Sequence, residues 1–113
     1  MIPRASIFVA VQPVDLRRSF DGLAGAARER MSKDPQSGAL FLFFNKARDR
    51  VKILWWDRTG FALLYKRLER GTFRIPAPLE PGASSVTIDA AELAKILEGV
   101  ALPRDRWGAA RVA

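Results

Sequence analysis

Leu40-Phe41-Leu42-Phe43-Phe44, then Asn45-Lys46-Ala47-Arg48-Asp49-Arg50, then Val51-Lys52-Ile53-Leu54-Trp55-Trp56 is the stretch whose reading decides the fold. Two apolar, β-prone runs flank a polar connection of hairpin length, which predicts a pair of antiparallel strands. Both runs are apolar on successive residues, not on alternate ones. That pattern fits strands covered on both faces, or strands carrying a hydrophobic contact surface.

N-terminal to this pair, Ile7-Phe8-Val9-Ala10-Val11 is a short β-prone run closed by Pro13. Asp15 is a candidate N-cap for a helix running to about Met31, because Leu16, Phe20, Leu23, Ala24, Ala27 and Met31 form one stripe at helical spacing. Gly22 and Gly25 each weaken that helix by about 1 kcal/mol relative to Ala, so it depends on tertiary packing. Asp34-Pro35-Gln36-Ser37-Gly38 is a turn cluster that ends the unit.

C-terminal to the pair, Asp57-Arg58-Thr59-Gly60 reads as a turn. Residues 61–70 satisfy two patterns: Phe61, Leu64, Tyr65 and Leu68 fit a helix bounded by Thr59 and Gly71, whereas Phe61, Leu63 and Tyr65 fit a strand. The Ala, Leu, Lys, Arg and Glu content, with no β-branched residue, favours the helix. Thr72 to Ile75 reads as a short strand ended by Pro76, and Ala77 to Ser85 as a loop. Val86-Thr87-Ile88 is a brief extended piece. Asp89 then caps a helix to about Glu98, with Glu92 as capping-box partner, Leu93, Ile96 and Leu97 as the apolar side, and Gly99 as the stop. The expected architecture is a small α+β domain over residues 1–100, an antiparallel β-sheet packed with two or three helices. Residues 101–113 are expected to form a C-terminal tail anchored by Trp107.

The 113 residues contain neither Cys nor His, which removes thiol nucleophiles, Ser-His-Asp triads, Cys/His zinc sites and imidazole bases. No cofactor motif is present. Met1 to Val11 holds too short an apolar run for a signal peptide or a membrane span, so a cytoplasmic location is expected. The net charge of +7 points to an anionic partner such as nucleic acid. Residues 45–74 carry nine basic and three acidic side chains, so nearly all the excess sits in one middle segment.

That segment holds Lys46, Arg48, Arg50, Lys52, Arg58, Lys66, Arg67, Arg70 and Arg74, interleaved with Trp55, Trp56, Phe61, Tyr65 and Phe73. Cations satisfy phosphates and aromatic faces stack on bases, which is the mixture a nucleic-acid surface needs. The plainer alternative is that the aromatics are core and the cations a solvated face. Lys46 to Lys52, with five charges, forms the densest candidate contact in the connecting loop. Arg17 and Arg18 fall in the first turn of the expected helix, where the macrodipole disfavours cations. Either they form a phosphate seat with the exposed amides there, or they pair with Asp15 and Asp21. Asp15, Asp49, Asp57 and Glu69 are the acids available for a metal-dependent nuclease, yet cap, turn or surface roles account for each, and no spacing makes them converge.

Val14-Asp15-Leu16-Arg17-Arg18-Ser19-Phe20-Asp21-Gly22-Leu23, Ser37-Gly38 with Leu40-Phe41, Val51 to Phe61 and Tyr65 to Phe73 closely resemble the TnpB, or second-open-reading-frame, accessory protein of the insertion-sequence sixty-six family. The resemblance covers about residues 7–100. Ser19, where the family carries Gly, and Ile75-Pro76, where it carries Trp-Pro, are the two departures. The resemblance implies a small protein encoded beside a larger transposase and needed for transposition of its element, and the missing His and Cys and the scattered acids make a non-catalytic role the expectation. With the basic segment, the expected partners are DNA, at element ends or target, together with the transposase and another accessory protein of the same element. No catalytic residues come with the resemblance. Two readings follow: a DNA-binding factor acting through residues 46–74 with Arg17 and Arg18, or an interaction factor that docks on the transposase through Trp55, Trp56 and Phe61 without touching DNA.

Overall fold

The computed structural model describes residues 5–99. Its elements are β1 (Ile7–Ala10), α1 (Phe20–Arg30), β2 (Leu40–Phe44), β3 (Arg50–Trp56), β4 (Phe61–Arg67), β5 (Ser85–Ile88) and α2 (Ala90–Glu98). The strands form one sheet in the order β4-β3-β2-β1-β5. The fold is α+β, as expected, but the sheet is mixed. β1 runs parallel to β2, and every other pairing is antiparallel. The parallel pair arises because α1 serves as the crossover between β1 and β2.

The successive apolar residues of β2 and β3 are explained by two cores, one on each face of the sheet. Phe41, Phe43 and Leu54 point to the α1 side, where Leu23, Ala24, Ala26 and Ala27 meet them. Leu42, Phe44, Val51 and Ile53 point to the other side, covered by Ile96 of α2 and by Phe73. Each fully buried Phe or Leu contributes about 1.5–3 kcal/mol relative to exposure. The buried face of α1 is mostly alanine, so the helix backbone can approach the phenylalanines of β2 closely.

Two sequence expectations are corrected. The first helix begins at Phe20 after Ser19, not at Asp15. Asp15 instead organises a turn: its carboxylate accepts from the Arg17 amide at 3.0 Å, and its carbonyl accepts from the Arg18 amide at 3.1 Å. Val14 donates its amide to the Phe44 carbonyl at 2.9 Å, and Val14 and Leu16 are buried in the α1-side core. Leu16 therefore belongs to the apolar stripe as core, but reaches it from a loop. Ser19 occupies the N-cap with φ −115° and ψ −145°, and its side chain makes no capping hydrogen bond.

The second correction is residues 61–67, which form strand β4 instead of a helix. Seven residues pair with β3, from Trp56↔Phe61 to Arg50↔Arg67. Helix propensity is a weak preference, and the backbone ladder that β3 presents overrides it. Thr72 makes only a single bridge instead of a strand over 72–75. Ile75, at the family's Trp position, is half-buried against the α2-side core.

At the C-terminal end the local expectation holds in detail. The Asp89 carboxylate accepts from the Glu92 amide at 2.8 Å, Glu92 Oε1 accepts from the Asp89 amide at 3.0 Å, and Gly99 ends α2 with φ +79°. Trp107 and the expected tail lie outside the described residues.

Candidate nucleic-acid interface

The loop between β2 and β3 is built around one side chain. Asn45 Oδ1 accepts from the amides of Asp49 at 3.1 Å and Arg50 at 3.0 Å, and its Nδ2 donates to Asp49 Oδ1 at 2.7 Å. From outside, the Leu68 amide donates to the Asp49 carbonyl at 2.8 Å and the Phe73 amide to the Arg48 carbonyl at 2.7 Å. The loop is thereby fixed on both sides. Arg48, with φ +62°, sits at its exposed corner, and Arg50 is the first residue of β3.

The β4 register determines which cations meet. Arg50 lies directly opposite Arg67 across the β3–β4 pair, on the face shared with α1. Like charges in that position repel. Arg50 Nη1 lies 3.5 Å from the Tyr65 hydroxyl, and Arg67 pairs with Glu69 at 3.1 Å. Among the described residues no carboxylate forms an ion pair with Lys46, Arg48 or Arg50. A groove of about 510 Å³ is lined by Val14, Arg17, Lys46, Arg50 and Tyr65, among others. A second, shallower depression continues it along Arg50, Tyr65, Arg67 and Glu69. Arg17, Lys46, Arg50, Tyr65 and Arg67 thus follow one another along a single path.

The other candidates lie elsewhere. The Arg17 side chain is 91% exposed and makes a bidentate ion pair with Asp15, its shortest contact 2.7 Å. Hydrogen bonds from the Arg17 guanidinium and then from its amide hold the Asp15 carboxyl down at about 2, below the usual 3.8. Because α1 starts later, Arg17 and Arg18 lie just before its N-cap Ser19 instead of in its first turn, and Arg17 takes the pairing with Asp15 that the sequence offered as the alternative to an anion seat. Lys52 is buried, only 8% exposed, with Nζ donating to the Arg18 carbonyl at 2.8 Å. It cannot reach a phosphate. Lys66 points to the opposite face, where Nζ donates to the Leu97 carbonyl at 2.6 Å and caps the C-terminus of α2. Arg58 occupies the β3–β4 turn with φ +86°, beyond Trp56, which itself lies about 20 Å from Arg50 at strand rise. Arg70 and Arg74 are exposed beyond β4.

The aromatics divide as well. Trp56 and Phe61 pack edge to face at 5.0 Å beside the β3–β4 turn, and Phe61 and Trp55 pack half-buried against opposite cores. Tyr65 alone stands among the cations, 51% exposed. The four acids weighed for metal chemistry are spread out: Asp15 bonds Arg17, Asp49 bonds Asn45, Asp57 accepts from Thr59, and Glu69 pairs with Arg67. Among the described residues no group of three or more acids could hold a metal ion. No described helix is long and apolar enough to cross a membrane.

Residues 5–106 match the family described as IS66 Orf2 like protein. The chain belongs to this family. It is a family of accessory proteins of IS66 insertion elements, and an accessory role in transposition is the assignment it gives. Two relatives come from Sinorhizobium fredii strain NGR234. Uncharacterized protein y4jC is 42% identical over 77 residues, covering 68% of this chain and 65% of its own length, just under two thirds. Uncharacterized protein y4hO is 32% identical over 108 residues, covering 94% of this chain and 91% of its own. No solved structure matches the chain.

Proposed function

We propose that this IS66 Orf2-like protein is a non-catalytic factor that binds DNA, at element ends or target, and assists a separate transposase. The observation that carries this reading is the cation cluster at one end of the sheet. Arg50 and Arg67 face each other across β3 and β4, Lys46 and Arg48 rise from the adjoining loop, and Lys46, Arg48 and Arg50 have no carboxylate partner among the described residues. Repulsion between adjacent arginines is relieved when a phosphate lies between them. Affinity from such contacts is driven by counterion release and falls linearly in log salt. No base-reading motif accompanies the cluster, so sequence preference is weak.

The test is fluorescence anisotropy of the purified protein against a labelled element-end duplex and a scrambled duplex at several salt concentrations. Micromolar or tighter binding that weakens with salt, similar for the two duplexes, is the expected result. Absence of binding at low salt overturns the reading.

A second reading, docking on the transposase, is favoured by the aromatic end of the same hairpin. Trp55, Trp56 and Phe61 are half-buried there, and Leu64 on edge strand β4 is 42% exposed. Because the cations and these aromatics occupy opposite ends of β3, they can be tested separately. Neutralising Arg48 and Arg50 damages transposition more if DNA is the partner, and replacing Trp56 and Leu64 damages it more if the transposase is.

A further inference from the structure

We propose that the groove takes an unpaired DNA strand, with phosphates on Lys46, Arg50 and Arg67 and one base stacked on Tyr65. This rests on the DNA-binding reading above and specifies the form of DNA that the site accepts. Tyr65 is seated on Lys52, with a long, weak contact from Arg50 at its hydroxyl. Lys52 Nζ lies 4.8 Å from the ring centroid, and Arg50 Nη1 lies 3.5 Å from the hydroxyl. The residue is nonetheless 51% exposed, the largest exposure of any aromatic in the groove.

Lys52 makes this arrangement notable. It is 8% exposed, has no carboxylate partner among the described residues, and is fixed by the Arg18 carbonyl at 2.8 Å. Burying an ammonium without a counter-ion is costly, and a hydrogen bond to one carbonyl offsets only part of that cost. The Tyr65 ring supplies the remaining compensation through its π face. The result is an exposed aromatic with little freedom to reorient, seated on a strand and paired through the backbone to β3. A pre-positioned ring loses little entropy when a base stacks on it.

The path of the groove supplies the second argument. Both depressions are lined by Arg50 and Tyr65, so a strand running from the Arg17–Lys46 side to the Arg67 side crosses the tyrosine. In a duplex the π faces are covered by neighbouring bases, and only an unpaired base offers one to Tyr65. Trp55, Trp56 and Phe61 are packed into the cores or against each other and lie toward the far end of the hairpin, so the platform is one base wide.

The experiment compares binding of a labelled oligo-dT and a duplex of equal length at matched salt, for the full chain and for Tyr65→Ala and Tyr65→Phe, with thermal unfolding of each protein recorded alongside. The expected result is that Tyr65→Ala lowers single-strand affinity about tenfold more than duplex affinity, while Tyr65→Phe keeps most of the single-strand binding. Photo-cross-linking of an oligonucleotide bearing 5-iododeoxyuridine should place the adduct on Tyr65. Equal losses for both DNA forms, or no loss for either, overturn the stacking platform and leave the duplex-binding reading standing. Failure of the unaltered protein to bind either form overturns both.

Discussion

Arg50→Gln separates function from stability at the centre of the cationic cluster. Glutamine keeps much of the side-chain stem and removes the charge that faces Arg67 across β3 and β4. Like charges directly opposed across strands are destabilising by about 0.2–1 kcal/mol. The contact that is lost, Arg50 Nη1 to the Tyr65 hydroxyl, is long at 3.5 Å and exposed, so its removal offsets little of the gain. Stability should rise by about 0.5 kcal/mol, which for a domain of this size is a Tm increase of about 2–4 °C. DNA binding should move the other way. Removing one phosphate contact reduces the slope of log affinity against log salt by about 0.9 for duplex DNA, equivalent to about an eightfold weaker complex at about 0.1 M salt. Differential scanning fluorimetry and salt-titrated anisotropy on the same two proteins read both quantities. A loss of more than about 1 kcal/mol in stability makes Arg50 a structural residue, and an unchanged salt slope shows that it touches no phosphate; either result refutes the reasoning.

Three further outcomes follow from the geometry. The Asp15 carboxyl titrates at about 2 because Arg17 donates to its charged form, so the stability it lends is present above its ordinary 3.8 and is lost as pH falls through about 2; an NMR pH titration should show this midpoint, and Arg17→Ala should return it toward 3.8. Gly99→Ala should destabilise by about 1–2 kcal/mol in urea unfolding, since φ is +79° and the end of Leu68, 2.7 Å from an added Cβ, can swing aside; a change under about 0.5 kcal/mol would refute the left-handed backbone at that position. Asp89→Ala should cost about 1 kcal/mol in the same assay, because it removes the acceptor for the Glu92 amide, and a null effect would mean that water satisfies that amide equally well.

What the sequence disclosed depended on how local the determining interactions were. The β2–β3 hairpin was legible because each strand's apolar residues lie together in the chain, and the α2 start was legible because Asp89 and Glu92 satisfy each other within one turn. Residues 61–67 misled because their composition favours a helix while their partner, β3, lies across a turn. The early helix start misled for a related reason: Leu16 extends the stripe numerically but is held in the core by a loop whose anchor, the Phe44 carbonyl, is distant in sequence. The binding surface was legible as a list of cations and not as a place. Only the β4 register opposes Arg50 to Arg67, buries Lys52 beneath Tyr65, and sends Lys66 to the far face to cap α2. Asn45, which builds the loop, carried no signal beyond being a polar residue at a turn.

The placement of β1 between β2 and β5 also sets an order of events during synthesis. Ile7 pairs with Leu40 on one side and Ile88 on the other, so β1, made before the other four strands, is the last of them to have both its neighbours in place. The β2–β3–β4 meander can assemble from sequence neighbours while β1 still waits for β5, and such long-range closure slows folding. Until β5 arrives, Ile7 to Ala10 present an open strand edge of the kind that pairs with other chains. Truncation before Ser85 should therefore yield a protein that aggregates, even though it would retain every residue of the cationic groove.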